Sequence, residues 1–254
     1  MFRPRIIPVL LLKNKGLVKT INFKSPTYIG DPINAVKIFN DMRSDELVFL
    51  DITASIENRL PLPEIISNIS DEAYMPFAVG GGIKSIEDVK AMIGAGAEKV
   101  VINSAAVTNP ELISRVAELF GRQSIIVSID VKKNLFGKQK VYTHSGTKQT
   151  ALNPIEHAIE MEKRGAGEIL INSIDKEGSM TGYDIDLIKK ITSVVNIPVI
   201  AVGGAGNLEH IKQAVTEGGA SAGAAGSLFV YHGPLKGVLI NYPEQKVLQH
   251  LFVK

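Results

Sequence analysis

Val79-Gly80-Gly81-Gly82-Ile83, followed by Asn103-Ser104, comes back as Val202-Gly203-Gly204-Ala205-Gly206, followed by Gly226-Ser227. The two runs are offset by 123 residues. Upstream, Glu46-Leu47-Val48-Phe49-Leu50-Asp51 answers Glu168-Ile169-Leu170-Ile171-Asn172-Ser173. Further upstream, the stretch from Arg5 to Lys13 answers that from Ser124 to Lys132. The chain therefore repeats one unit, with halves of about 1–122 and 123–254. Short, β-branched, nearly continuous apolar runs mark buried parallel strands at 5–11, 46–51, 76–80, 98–103, 124–130, 168–173, 198–202 and 222–226. Amphipathic patterns between them predict helices at 31–42, 61–70, 85–95, 109–119, 154–164, 184–193, 207–217 and 243–251. Asp31-Pro32, Asn109-Pro110 and Asn153-Pro154 read as cap-plus-proline helix starts. Eight such units over 1–254 predict a single α/β domain, a (β/α)8 TIM barrel built from two half-barrels. An open doubly wound sheet is the alternative, and the twofold repeat favours closure. The stretches 13–30 and 131–150 read as irregular loops at the strands' C-terminal ends, the face where such barrels carry their sites.

Composition narrows the function. The chain of 254 residues is 45% hydrophobic, with no cysteine and a net charge of +2. Lack of cysteine excludes disulfides and thiolate chemistry and fits a cytoplasmic protein. The small net charge gives no argument for a nucleic-acid partner. No apolar run approaches the roughly 20 residues of a membrane span, and no signal peptide is legible, so no membrane partner is expected. The five histidines show no metal-ligand spacing, and neither metal nor cofactor is expected.

Glycine at a strand end lets backbone approach an anion, and free N–H groups at the next helix start can bind it. Gly81, Gly82, Asn103 and Ser104 thus form one candidate phosphate site, and Gly203, Gly204, Gly226 and Ser227 the other. Tight-turn glycines without a ligand are the bland alternative. Two sites across one barrel mouth imply an elongated ligand with a phosphate at each end, a bisphosphate or sugar phosphate. Asp130 closes its strand with a carboxylate suited to acid–base work, whereas its symmetry partner is Leu11. Asp51, Asp175, Glu177 and Gly178 lie at or after strand ends, and Lys19 belongs to a basic first loop with Lys13, Lys15 and Lys24. On the opposite face Arg5, Glu46, Lys99 and Glu168 stand at strand starts, where they could close into a salt-bridged ring; Glu98 belongs at its rim.

These stretches, with Tyr142-Thr143-His144 and Gly165-Ala166-Gly167, are similar to the cyclase subunit of imidazole glycerol phosphate synthase from end to end. The resemblance implies a glutaminase subunit docked on the strand-start face. It also implies a gate of Arg5, Glu46, Lys99 and Glu168, and ammonia passing along the barrel axis to a bisphosphate substrate. The family uses two catalytic aspartates; Asp130 matches one, and Leu11 replaces the other. Glu177 stands where aspartate is usual. Leu10-Leu11-Leu12-Lys13, Asn22-Phe23-Lys24 and Gly233-Pro234 resemble a paralogous branch associated with acetamidino modification of nucleotide-activated surface sugars. This resemblance implies that the pair provides ammonia to a separate amidotransferase. Four readings follow: an ammonia-conducting subunit serving amidine formation, an ordinary histidine-pathway cyclase and lyase with the second acid supplied by another residue such as Asp51 or Glu177, a related phosphosugar isomerase, and a non-enzymatic scaffold that activates the glutaminase. Leu11 separates the first and last from the other two.

Overall fold

A computed structural model describes residues 3–253. The eight apolar runs form parallel strands that neighbour each other in chain order: Arg5–Lys13, Leu47–Asp51, Phe77–Gly80, Lys99–Ile102, Ile125–Lys133, Glu168–Ser173, Val199–Val202 and Ala222–Ala225. The eighth strand pairs back with the first, Ile6 opposite Gly223, so the sheet closes into the expected barrel. Strand residues alternate between two apolar environments, as a period of two requires. Ile7, Val9, Leu11, Val48, Ala78, Val101, Ile126, Leu170, Ile200, Ala222 and Ala224 pack together inside the barrel. Ile6, Leu10, Leu12, Phe49 and Phe77 face outward into the shell of helices.

Two of the three proline-marked starts hold. Asp31 accepts from the Asn34 amide at 3.0 Å and Asn153 from the Ile155 amide at 2.8 Å, each capping a helix that opens on proline. Asn109 does not cap. It ends a short helix, Ser104–Thr108, and the longer helix Glu111–Phe120 begins after Pro110 without a side-chain cap. The equivalent short helix in the second half is Ser227–Val230. Asn103 and Gly226, which precede these helices, share nearly the same backbone angles (φ −116°, ψ −76° and φ −101°, ψ −70°).

The stretches 13–30 and 131–150 are not irregular. The first strand turns back through Gly16–Ile21 and Lys24–Gly30, and the fifth through Gln139–Thr143 and Lys148–Gln149, as antiparallel ribbons above the barrel. Leu11 pairs with Val18 in one ribbon and Asp130 with Tyr142 in the other. Positions 11 and 130 are thus equivalent in the fold as well as in the sequence repeat.

Candidate functional site

At the strand-start face, Arg5 donates to both Glu46 and Glu168. Lys99 Nζ donates to Glu46 at 3.0 Å and to Glu168 at 2.6 Å. Four side chains from four strands therefore close a ring of alternating charge, because each occupies an inward-facing position at the same level. Both carboxylates are buried, Glu46 the more deeply. Burial alone would raise the Glu168 pKa, but hydrogen bonds and charges from Arg5 and Lys99 outweigh it and hold the group below its ordinary value. Burial likewise works against the Arg5 guanidinium, which Glu168 and Glu46 nevertheless keep charged. Glu98 stays outside the ring, exposed, and accepts from the Phe77 amide at 2.8 Å.

From Arg5 to Leu11 the first strand rises about 20 Å at 3.3 Å per residue. Between them the lumen is apolar, and its smallest inward side chains are Ala78, Ala222 and Ala224. At the far end a cavity of about 410 Å³ opens at the mouth. Asp130, Leu11, Lys19, Asp51, Gly81, Gly82, Asn103, Ser104, Glu177, Gly178, Gly203, Gly204, Gly226 and Ser227 all line it. Asp175 does not line it. Its carboxylate accepts from the Lys133 amide at 2.9 Å, outside the cavity, fastening the strand-6 loop to the strand-5 ribbon.

The two sides of this cavity differ chemically. Asp130 lies opposite Asn172 in the sheet, and Asn172 Nδ2 donates to it at 3.1 Å. Asn103 Nδ2 donates to its other oxygen at 3.2 Å. Burial pushes the Asp130 carboxyl up to about 7, against the hydrogen bonds from Asn172 and Ser128, and the nearby charge of Glu177 adds to the rise. A carboxyl poised there can both hold and release a proton near neutrality. In the first half the equivalent pair is Leu11 opposite Leu50, with no proton to exchange. The asymmetry thus extends over two neighbouring strands.

Lys19 comes from the first ribbon, is 5% exposed, and enters the cavity beside Gly226, where a Cβ would lie 1.8 Å from its Nζ. Burial lowers its pKa to about 8, partly offset by the charge of Glu177. Among the described residues no carboxylate forms an ion pair with it. Asp51 is engaged elsewhere: it accepts from the Thr53 and Ala54 amides at 3.0 and 3.1 Å, and from Arg59 at 2.6 Å. Glu177 is a latch. It accepts from Thr20 Oγ1 at 2.9 Å and from the Phe23 amide at 3.0 Å, binding the first ribbon over the strand-6 loop. The second ribbon is held across the mouth in the same way, Ser145 donating to the Ile52 carbonyl at 2.7 Å.

Gly82 and Gly204 have steric reasons of their own. Both have positive φ (68° and 114°), and a Cβ would lie 1.8 Å from the Arg59 carbonyl oxygen in one and 2.2 Å from that of Gly182 in the other. Each glycine run therefore packs directly against the preceding loop. The short helices after strands 4 and 8 start at the same rim, an arrangement in which barrels of this kind form phosphate sites.

The family model described as histidine biosynthesis protein matches residues 5–236. The chain belongs to this family, and it is of the HisF type. A Leptospira borgpetersenii protein provisionally named imidazole glycerol phosphate synthase subunit HisF is 48% identical over 99% of this chain and 100% of its own length. A Pseudomonas aeruginosa protein provisionally named imidazole glycerol phosphate synthase subunit hisF2 is 47% identical over 96% of this chain and 97% of its own length. The imidazole glycerol phosphate synthase subunit HisF of Trichormus variabilis is 46% identical over 91% of both. No helix among the described residues of this HisF-type chain is long and apolar enough to cross a membrane.

Sequence reasoning missed several side chains of this HisF-type mouth. Leu50, Asn172 and Ser128 emerge only from strand register, which places them beside Leu11 and Asp130. Alternation within each strand could have flagged all three as inward-facing. Thr20 and Phe23 carry no sequence signal for their contacts with Glu177, because the ribbon itself read as a loop.

Proposed function

We propose that this HisF-like synthase subunit accepts ammonia from a glutaminase docked on its strand-start face and conducts it through the barrel to an acceptor other than the ordinary cyclase substrate. The fitting acceptor reaction is acetamidino modification of a nucleotide-activated surface sugar, completed by a separate amidotransferase. The observation that carries this reading is the apolar pair Leu11–Leu50 facing the polar pair Asp130–Asn172. A cyclisation needing an acid/base group on each side has only one here, and loss of such a group costs roughly 10²- to 10⁴-fold. The charged ring fits ammonia entry, since Lys99 and Arg5 each bridge two buried carboxylates and must part for a molecule to pass. The apolar lumen beyond it favours neutral NH3 over ammonium, because an unpaired ion there would be poorly solvated.

In this reading Lys19 and the two glycine runs hold an anionic ligand at the mouth. Asp130 donates or accepts a proton on the second-half side of the mouth, where the first half has only Leu11 and Leu50. Glu177 keeps the first ribbon, and with it Lys19, over the cavity. These same groups favour a second reading, the cyclase subunit of histidine synthesis, in which both phosphates of the bisphosphate are bound as in the wider family. Cyclase assays of Leu11→Asp and Leu11→Asp/Leu50→Asn with ammonium salts separate the two. The first reading predicts activity in the variants that exceeds wild type by tenfold or more. Wild-type turnover of about one per second or faster, not exceeded by either variant, supports the histidine pathway.

A further inference from the structure

The segments 13–30, 131–150 and 231–240 carry ten lysines and no aspartate or glutamate. The whole chain has 28 basic and 26 acidic residues, so the remainder is net negative and the molecule is polarised with its positive end at the mouth. All three segments follow strand C-terminal ends, and Lys15, Lys24, Lys133, Lys138, Lys148 and Lys236 are exposed there. The same loops hold apolar tips. Leu135 is 102% exposed, Phe136 87% and Leu235 97%. Leu135 and Phe136 sit at the turn of the strand-5 ribbon between Lys133 and Lys138. Leu235 lies in the turn between Tyr231–His232 and Gly237–Val238, beside Lys236.

We infer that the mouth face docks on an anionic lipid surface, with Leu135, Phe136 and Leu235 entering the headgroup layer and the lysines around them meeting lipid phosphates. This goes beyond the ammonia reading and does not depend on it. It also departs from the expectation of no membrane partner, which rested on the absence of a spanning segment; surface docking needs none. Lipid suits these tips better than a protein. A protein interface is a contiguous packed patch whose anchors are framed by neighbouring contacts, whereas these nearly fully exposed tips project from two separate loops, with Val238 and Leu239 half exposed beside Leu235. A fluid apolar layer needs no complementary sockets, and a row of lysines favours an anionic leaflet by about fivefold in affinity per residue. The strand-5 ribbon extends past Asp130, so its tip stands clear of the rim and the cavity need not be sealed by docking.

The test is co-sedimentation of the full-length protein with extruded vesicles at low salt. One set is pure phosphatidylcholine and the other an equimolar mixture with phosphatidylglycerol. Binding to the mixed vesicles only, reversed by high salt, is expected. Leu135→Ser/Phe136→Ser should reduce it at least tenfold, and Lys133→Glu/Lys138→Glu should reduce it further still. Circular dichroism and thermal melting confirm that the variants fold, as their exposed positions lead us to expect. Wild type remaining in the supernatant with both lipids would overturn the proposal, as would binding that the tip variant leaves intact. Loss of coupling to a protein acceptor in the tip variant, without any vesicle binding by wild type, would assign the face to a protein instead.

Discussion

Leu11→Asp, made alone and together with Leu50→Asn, probes the asymmetry of the mouth through stability. Leu11 is 7% exposed and packs with Val9, Val18 and Leu50. An aspartate there loses a buried leucine and gains a carboxyl with no amide opposite it. Asp130 is pushed up to about 7 even with Asn172 and Asn103 donating to it. The new carboxyl, lacking both, should titrate higher still and be mostly protonated at pH 7. The lost apolar burial and the unpaired polar group together should cost roughly 3–5 kcal/mol. Asparagine at position 50 stands where Asn172 stands in the other half, so it restores one amide donor. A hydrogen bond to a neutral carboxyl is worth about 0.5–1.5 kcal/mol, and the double-mutant cycle should show favourable coupling of that order. Urea unfolding of wild type, both single variants and the double variant at pH 7 measures this. The reasoning is refuted if Leu11→Asp unfolds at the wild-type midpoint, or if the two substitutions act additively.

Lys99→Met should leave Glu46 and Glu168 facing each other with only Arg5 between them. With Lys99 partly exposed we expect a loss of roughly 1–3 kcal/mol in urea unfolding, together with glutamine hydrolysis no longer matched by ammonia delivery in the glutaminase complex. Asp130 has a folded pKa raised to about 7, so it favours the fold fully below its unfolded value near 4 and loses that contribution as pH rises through 7. Asp130→Asn should accordingly flatten the decline in stability between pH 4 and pH 7, which unfolding midpoints across that range would report. Gly82→Ala should destabilise by more than about 2 kcal/mol, since the added Cβ meets the Arg59 carbonyl at a positive φ; a melting temperature equal to wild type would show that the strand-2 loop can yield.

The barrel was legible because buried parallel strands are continuous apolar runs and the glycine repeat fixes which run answers which. The ring was legible for a similar reason: charged residues at equivalent strand starts, Arg5, Glu46, Lys99 and Glu168, must share one level of a closed sheet. The ribbons were not. Gly16–Ile21 and Gln139–Thr143 interleave lysine, threonine and glutamine with their apolar residues, so no continuous apolar run marks them; they pair antiparallel with the first and fifth strands above the rim, and Leu17, Val18, Lys19 and Thr20 are buried only through that pairing and packing. Asp175 and Glu177 are two residues apart in one loop, and composition does not say which turns inward; the latch to Thr20 and Phe23 decides it. Asp51 lines the cavity at its strand end, and the sequence did not show that Arg59, eight residues on, pairs with its carboxylate.

Turnover of the bisphosphate substrate of histidine synthesis by wild-type protein, with saturating ammonium salt and no glutaminase, tests the central claim most directly. With Leu11 and Leu50 on one side of the mouth and Asp130 the one acid/base group on the other, the account predicts turnover at least a hundredfold below one per second. A wild-type rate within the usual enzyme range of roughly 1–10³ s⁻¹ would contradict it and return the chain to the histidine pathway.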